Sequence, residues 1–218
     1  MEKSIENIWK EGFLKKDVLV VPNLNDFYNK KSIHIIDKFK RMFRINLIVA
    51  VIFALVSLVI TTINGLPIIG VSWFLILIGL VVVNKKLLKG LEKIDYHVSS
   101  YEYLISFNKW LQEQLAINRK MARLYYPLFF FSIVIGFWFV DAEGVSLGER
   151  LVGEVLYGFP NTYLVNGVPL IGIILVLTIA SLLALFGGEI YNFDVKIIYG
   201  RMFKKIENLI TELEELRR

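Results

Sequence analysis

The chain of 218 residues has no cysteine, two histidines and only five prolines. Without cysteine it can form neither a disulfide framework nor a thiolate metal site, and it has no cysteine nucleophile. An apolar share of 56% with so little proline excludes a disordered or collagen-like protein. Soluble domains are about 45–50% apolar, and the mean hydropathy here is +0.57. The composition therefore predicts an integral membrane protein.

Charge is missing from one long stretch of the chain. No Lys, Arg, Asp or Glu occurs between Arg44 and Lys85. A helix needs about 20 apolar residues to cross a bilayer, so this stretch accommodates two helices and a turn. The turn is Asn64-Gly65-Leu66-Pro67, since Asn-Gly and a following proline interrupt helices. We predict a transmembrane hairpin with spans at 45–63 and 66–84.

Two further apolar runs, 125–140 and 168–188, predict the third and fourth spans. The third run is short, so we expect its helix to start earlier, with Arg123 extending to the membrane interface. Pro127 falls in the first turn of that run, where its missing N–H is least harmful. The predicted fold class is an all-α integral membrane protein, with four transmembrane helices and cytoplasmic helical extensions that form a bundle.

The basic residues predict the orientation. Segment 1–44 has ten of them, segment 85–124 has eight and segment 189–218 has six, whereas loop 141–167 has only Arg150. The positive-inside rule therefore places both termini in the cytoplasm and the loop outside. Anionic lipid headgroups then explain the pI of 9.2 without a nucleic-acid partner.

The cytoplasmic segment 1–44 is interpreted as two helices around a break at Pro22, because proline biases the preceding residue to extended backbone. Asn23 or Asn25 would cap the second helix. One face of that helix is basic, and it is either a stem on the membrane surface or a partner-binding face. The residues expected to contact lipid headgroups are Lys38, Lys40, Arg41, Arg44 and Arg123.

Segment 85–124 has apolar residues at helical spacing throughout. A single helix of that length would reach about 60 Å from the bilayer and could not return, so we predict a hairpin with its turn at Val98-Ser99-Ser100-Tyr101. Gly187-Gly188 would end the fourth span with a hinge. The amphipathic tail 189–218 then packs either on this hairpin or on a second copy, through Val195, Tyr199, Met202, Ile206, Leu209, Leu213 and Leu216.

The outer loop contains Ser146-x-x-Glu149, which is a capping box before an apolar run. It predicts a short amphipathic helix on the outer leaflet.

Motifs for chemistry are missing. The sequence has no phosphate-binding glycine loop and no G-x-S-x-G. His34 and His97 each lack a second metal ligand at useful spacing, and the predicted spans contain no Asp or Glu to mark an ion pathway. We therefore predict no catalytic, metal or cofactor-binding residue, and no enzymatic activity. Glu189 and Asp194, at the inner edge of the fourth span, are interpreted as capping or solvated residues.

The leading hypothesis is a non-catalytic inner-membrane protein whose cytoplasmic helices bind or tether a protein partner, such as a regulator. The alternative is a small channel or carrier formed by oligomerised spans. Two aromatic residues near the N-terminus would dock on the 85–124 hairpin, on the bilayer or on another protein. Together with three tail residues they form the expected partner-binding set: Trp9, Phe13, Tyr199, Met202 and Leu209.

Three segments in the N-terminal part also carry a resemblance. They are Ile5-x-x-Ile8-Trp9-Lys10-Glu11-Gly12-Phe13-Leu14, Tyr28-Asn29-Lys30-Lys31-Ser32 and Asp37-Lys38-Phe39-Lys40-Arg41-Met42. These segments resemble an uncharacterised family of multi-span membrane proteins from Bacteroidota, and the resemblance extends through the first two spans and the 85–124 segment. It implies a bacterial inner membrane and assigns no activity.

Overall fold

The computed structural model of the chain describes residues 17–92, 94 and 99–215. Within this part the fold is all-α, as predicted. The helices are α1 (Asp17–Ile63), α2 (Pro67–Leu91), α3 (Ser100–Trp138), α4 (Leu147–Gly158) and α5 (Leu170–Glu215). Two antiparallel hairpins pair β1 (Asp141–Ala142) with β2 (Val145–Ser146) and β3 (Leu164–Val165) with β4 (Val168–Pro169).

Four of the helices, α1, α2, α3 and α5, are long and apolar enough to cross a membrane. The predicted turn between the first two is confirmed. Gly65 adopts a left-handed backbone with φ +74°, which suits glycine, and Pro67 occupies the start of α2. The loop end of the molecule contains this turn together with residues 139–169, and the bundle end contains the opposite ends of the long helices.

The predicted break at Pro22 is wrong, because α1 runs through it without interruption. Asn23 and Asn25 therefore lie inside a continuous helix and not at the start of a second one. The missing N–H of Pro22 removes the bond to the carbonyl of Val18, and the loss of this one hydrogen bond does not end the helix.

The helix end predicted at Gly187-Gly188 is also wrong, because α5 continues through both glycines. Pro127, expected near the start of its helix, lies well inside α3, which begins at Ser100. In an apolar medium, a helix break would leave several backbone groups without partners. Losing one hydrogen bond at Pro127 therefore costs less than ending the helix.

The turn of the hairpin lies earlier than predicted. The second helix, α2, extends past position 84 to Leu91, and α3 already begins at Ser100, so Ser100 and Tyr101 are helical. Ser99 is the N-cap, and its hydroxyl accepts a hydrogen bond from the Glu102 N–H at 3.3 Å. The serine pair therefore starts a helix instead of ending one. Val98 lies outside the described residues.

A compact apolar core lies at the bundle end, beyond the charge-free runs. It contains residues from all four long helices, so their extensions form one bundle. The tail packs on the first half of α3, which agrees with the predicted packing on this chain's own hairpin. The core residues are Ile36, Phe39, Leu88, Leu91, Tyr103, Leu104, Phe107, Leu111, Met202, Ile206, Leu209 and Leu213.

The loop end confirms the predicted capping box. The Ser146 hydroxyl accepts from the Glu149 N–H, and the Glu149 carboxylate accepts from the Ser146 N–H, each at 3.2 Å. Helix α4 follows, and its Gly148 lies against the indole ring of Trp138. The two β-hairpins were not predicted. One of them places Val168 in a strand, so α5 begins two residues after the predicted start of the fourth span.

Candidate functional site at the junction of spans and bundle

Polar side chains are concentrated where the apolar runs end and the bundle begins. We call this set the junction layer. Its members come from all four long helices and are Arg44, Asn46, Asn84, Lys85, Lys89, Glu92, Gln114, Asn118, Arg119, Tyr126, Glu189, Asp194 and Tyr199.

A cluster of three carboxamides joins α2 to α3 in this layer. Asn84 donates from Nδ2 to Asn118 Oδ1 at 3.1 Å, and Asn118 donates from Nδ2 to Asn84 Oδ1 at 3.0 Å. Gln114 donates to the same Asn84 oxygen at 3.5 Å. Asn118 is 5% exposed and Gln114 is 4% exposed. Because buried amides are costly without partners, this reciprocal pairing specifies how the two helices align.

Two carboxylates of α5 are tied to α3. Arg119 donates to a carboxylate oxygen of Glu189, and the hydroxyl of Tyr126 donates to Asp194 Oδ2 at 2.7 Å. Both acids lie within a continuous helix, so neither caps its end, but both are exposed, as the solvated interpretation predicts. Each also contacts the neighbouring helix. The ion pair is largely exposed, so it contributes orientation more than stability.

Tyrosines on the bundle side are held neutral. Burial raises the pKa of Tyr199 above its ordinary value, and the hydrogen bond that Asn46 donates to the phenol oxygen lowers it in part. Burial, and to a lesser extent the Asp37 carboxylate, raises the pKa of Tyr103. Both phenols therefore act as packing groups, and that of Tyr199 also accepts a hydrogen bond from Asn46.

The expected partner-binding residues differ in how far they are buried and in whether the structure describes them. Met202 and Leu209 are buried in the core of the bundle, and Tyr199 is half-buried beside it. Trp9 and Phe13 lie outside the described residues. That any of the five contacts a partner stays a prediction.

The expected lipid-contact residues lie around the junction. Four of them are exposed, and Lys40 is half-buried with its amine 3.8 Å from the Asp37 carboxylate. Arg44 donates to Glu92 at 2.7 Å. Lipid contact stays a prediction for the whole set, which comprises Lys38, Lys40, Arg41, Arg44 and Arg123.

Hydroxyl groups inside the apolar runs bond to their own helices. Ser57 donates to the Ala54 carbonyl at 3.0 Å, and Thr178 donates to the Ile174 carbonyl at 2.7 Å. Ser132 likewise donates to the Phe129 carbonyl of its own helix. Its hydroxyl also accepts a hydrogen bond from the indole N–H of Trp73 at 2.8 Å, which joins α3 to α2. Among the described residues, no group of three His, Asp or Glu side chains is placed to hold a metal ion.

Sequence reasoning missed the carboxamide cluster and the basic residues of α2, Lys85 and Lys89. One signal for the cluster was present. Gln114 and Asn118 continue the helical stripe of buried residues that begins at Leu104, so two polar residues occupy core positions of an amphipathic helix. A polar residue at such a position needs a buried partner.

The described residues thus define an all-α protein with four helices that can cross a membrane and a helical bundle at one end. Comparisons with family models, with curated proteins and with solved structures found no match for the chain. The resemblance to a Bacteroidota membrane family therefore stays a prediction.

Proposed function

We propose that this chain is a non-catalytic protein of the bacterial inner membrane whose bundle lies in the cytoplasm and binds or tethers a protein partner. The charge distribution supports this orientation, because 24 of the 25 basic residues lie in segments 1–44, 85–124 and 189–218, and only Arg150 lies in the loop 141–167. The partner itself would be recognised by an exposed apolar surface on α5.

That surface is the observation on which the proposal depends. Phe193 and Ile197 lie on one face of the helix, are 65% and 67% exposed, and are here called the α5 patch. On the opposite side of the same helix, Val195 and Met202 are buried in the chain. Adjacent large apolar side chains on an outer surface mark interaction sites.

Lipid covers this patch only in part. Ile197 lies nine residues beyond Gly188, the last residue of the apolar run, which is about 13 Å along a helix. The headgroup layer is only about 5–8 Å thick on each side of the hydrocarbon. An upright α5 would therefore carry Ile197 past the headgroups, where a protein can cover it.

Basic residues follow the patch along the helix. Arg201, Lys204 and Lys205 are exposed within two turns of Ile197. A partner with an apolar centre and an acidic rim would fit this arrangement. The alternative of a channel or carrier has less support, because the span hydroxyls described above bond to their own backbones.

Site-specific photocrosslinking in the native membrane tests the proposal. A photoreactive side chain at Ile197 should give a discrete adduct with one other protein. The control is Lys196, which is also exposed but points about 100° away around the helix. An adduct at twice the mass of the chain identifies the partner as a second copy. Adducts with lipid alone, or equal protein adducts at both positions, contradict the proposal.

A further inference from the structure

A groove of about 550 Å³ opens between α1 and α2 at the bundle end of the apolar runs. Its walls are aliphatic, with Leu47 and Val51 on α1 and Val81 and Leu88 on α2. Position 51 lies seven residues below Arg44, so the apolar part extends about 10 Å toward the middle of the span. A surface of this shape and composition fits a hydrocarbon chain.

The rim of the groove is basic. Arg44, Lys85 and Lys89 line it together with one acid, Glu92, which leaves two positive charges in excess. Lys85 and Lys89 are one helical turn apart, so their side chains lie on the same face of α2. Within the described residues, no carboxylate lies within ion-pair distance of either lysine.

Glu92 orients the Arg44 side chain and leaves most of its N–H donors free for another ligand. Its Oε1 is 2.7 Å from Arg44 Nη2, and both side chains are about half exposed. A guanidinium has five N–H donors, and this bond occupies one of them. The remaining donors can bind phosphate oxygens, for which arginine has a suitable planar geometry.

The rim lies at the boundary between apolar and polar sequence. Arg44 is the last charged residue before the charge-free run and Lys85 is the first after it. In a bilayer this is the depth of lipid phosphates, and basic pockets between helices at that depth bind anionic headgroups. The basic rim is complementary to an anionic headgroup, and the aliphatic walls are complementary to an acyl chain of the same lipid molecule.

We propose that the groove between α1 and α2 binds one anionic phospholipid, with its phosphate held by Arg44, Lys85 and Lys89 and an acyl chain along the aliphatic walls. This inference does not depend on the protein partner proposed above. It adds Lys85 and Lys89, which no pattern in the sequence singled out, to the residues that contact lipid.

Native mass spectrometry of the full chain in detergent tests the site. The added probes are dioleoyl phosphatidylglycerol and dioleoyl phosphatidylcholine, which differ only in the headgroup. The wild type should bind phosphatidylglycerol at least about fivefold more tightly. The double variant K85Q/K89Q should lose about tenfold in affinity for phosphatidylglycerol and should bind phosphatidylcholine as before.

The matched control is K204Q/K205Q. It removes the same two charges from exposed positions of α5 that do not line the groove. Its phosphatidylglycerol affinity should equal that of the wild type, and an excess of inorganic phosphate should not displace the lipid. The proposal is overturned if both double variants lose affinity equally, if K85Q/K89Q loses none, if the wild type does not distinguish the two lipids, or if inorganic phosphate displaces phosphatidylglycerol.

Discussion

Gly187 of α5 lies directly against the backbone of Ala122 in α3. A methyl group at position 187 would stand 2.9 Å from the Ala122 carbonyl oxygen and 3.1 Å from the Cα of Arg123. Ala122 is itself completely buried. The two helices therefore approach each other closely where the apolar runs meet the bundle, and nearby Arg119 contacts Glu189.

Replacing Gly187 by alanine should destabilise the protein, although alanine favours helix. The new methyl group meets backbone atoms that cannot rotate away, so we expect a loss of about 1–3 kcal/mol. Gly172→Ala is the control, since Gly172 lies in the same helix with no atom within 4 Å of the added group. Thermal unfolding in detergent should show a lower midpoint for Gly187→Ala only. Equal midpoints for the two variants would contradict the close approach.

Leu209→Asp should unfold the bundle end. Leu209 is 1% exposed in the apolar core, so the variant buries an unpaired charge and costs about 3 kcal/mol or more. Asn208→Asp adds the same charge one residue away at an exposed position. Hydrogen exchange in residues 100–111 should accelerate in the first variant and not in the second. Unchanged exchange in both would refute the packing of the tail on α3.

The carboxamide pair predicts a non-additive double variant. Asn84→Leu or Asn118→Leu alone breaks the reciprocal pair and leaves the other amide, which is buried at Asn118 and half-buried at Asn84, with fewer hydrogen bonds, at a cost of about 1–3 kcal/mol. The double variant removes both polar groups and should be more stable than the sum of the two losses implies. Thermal midpoints of the four proteins complete the cycle. Strict additivity would mean that the two amides act independently.

Reporter fusions test the proposed orientation. Fusions after residues 100 and 218 should report a cytoplasmic location, and fusions after residues 64 and 155 should report an external one. An external signal at either of the first two positions would contradict the placement of the bundle in the cytoplasm.

Much of the helical architecture could be predicted from local patterns. The Asn64-Gly65 turn and the capping box at Ser146 depend on residues close in sequence, and both appear in the structure, as do four helices apolar enough to cross a membrane. The apolar seam of the tail also predicted its buried face correctly from Val195 to Leu213. Periodicity and capping are properties of single segments, so they can be read without knowing the neighbours.

The errors have a common physical origin. Pro22 and Gly187 were interpreted through their intrinsic helix-breaking tendency, but both lie in continuous helices. Propensity is a small term, and packing together with the demand for backbone hydrogen bonds in an apolar medium outweighs it. The Asn84–Asn118 pair and the groove beside Arg44 join separate helices, so they become visible only when the helices are placed together.

The unbroken length of α5 has a mechanical consequence. Forty-six residues form one helix, a rod of about 69 Å, and its contact with α3 at Gly187 lies well inside its length. Because no break separates the tail from the apolar run, the bundle core and the hairpins that precede Leu170 are joined by one continuous helix. A tilt of the tail is therefore transmitted along that helix to the hairpins instead of being absorbed at a hinge.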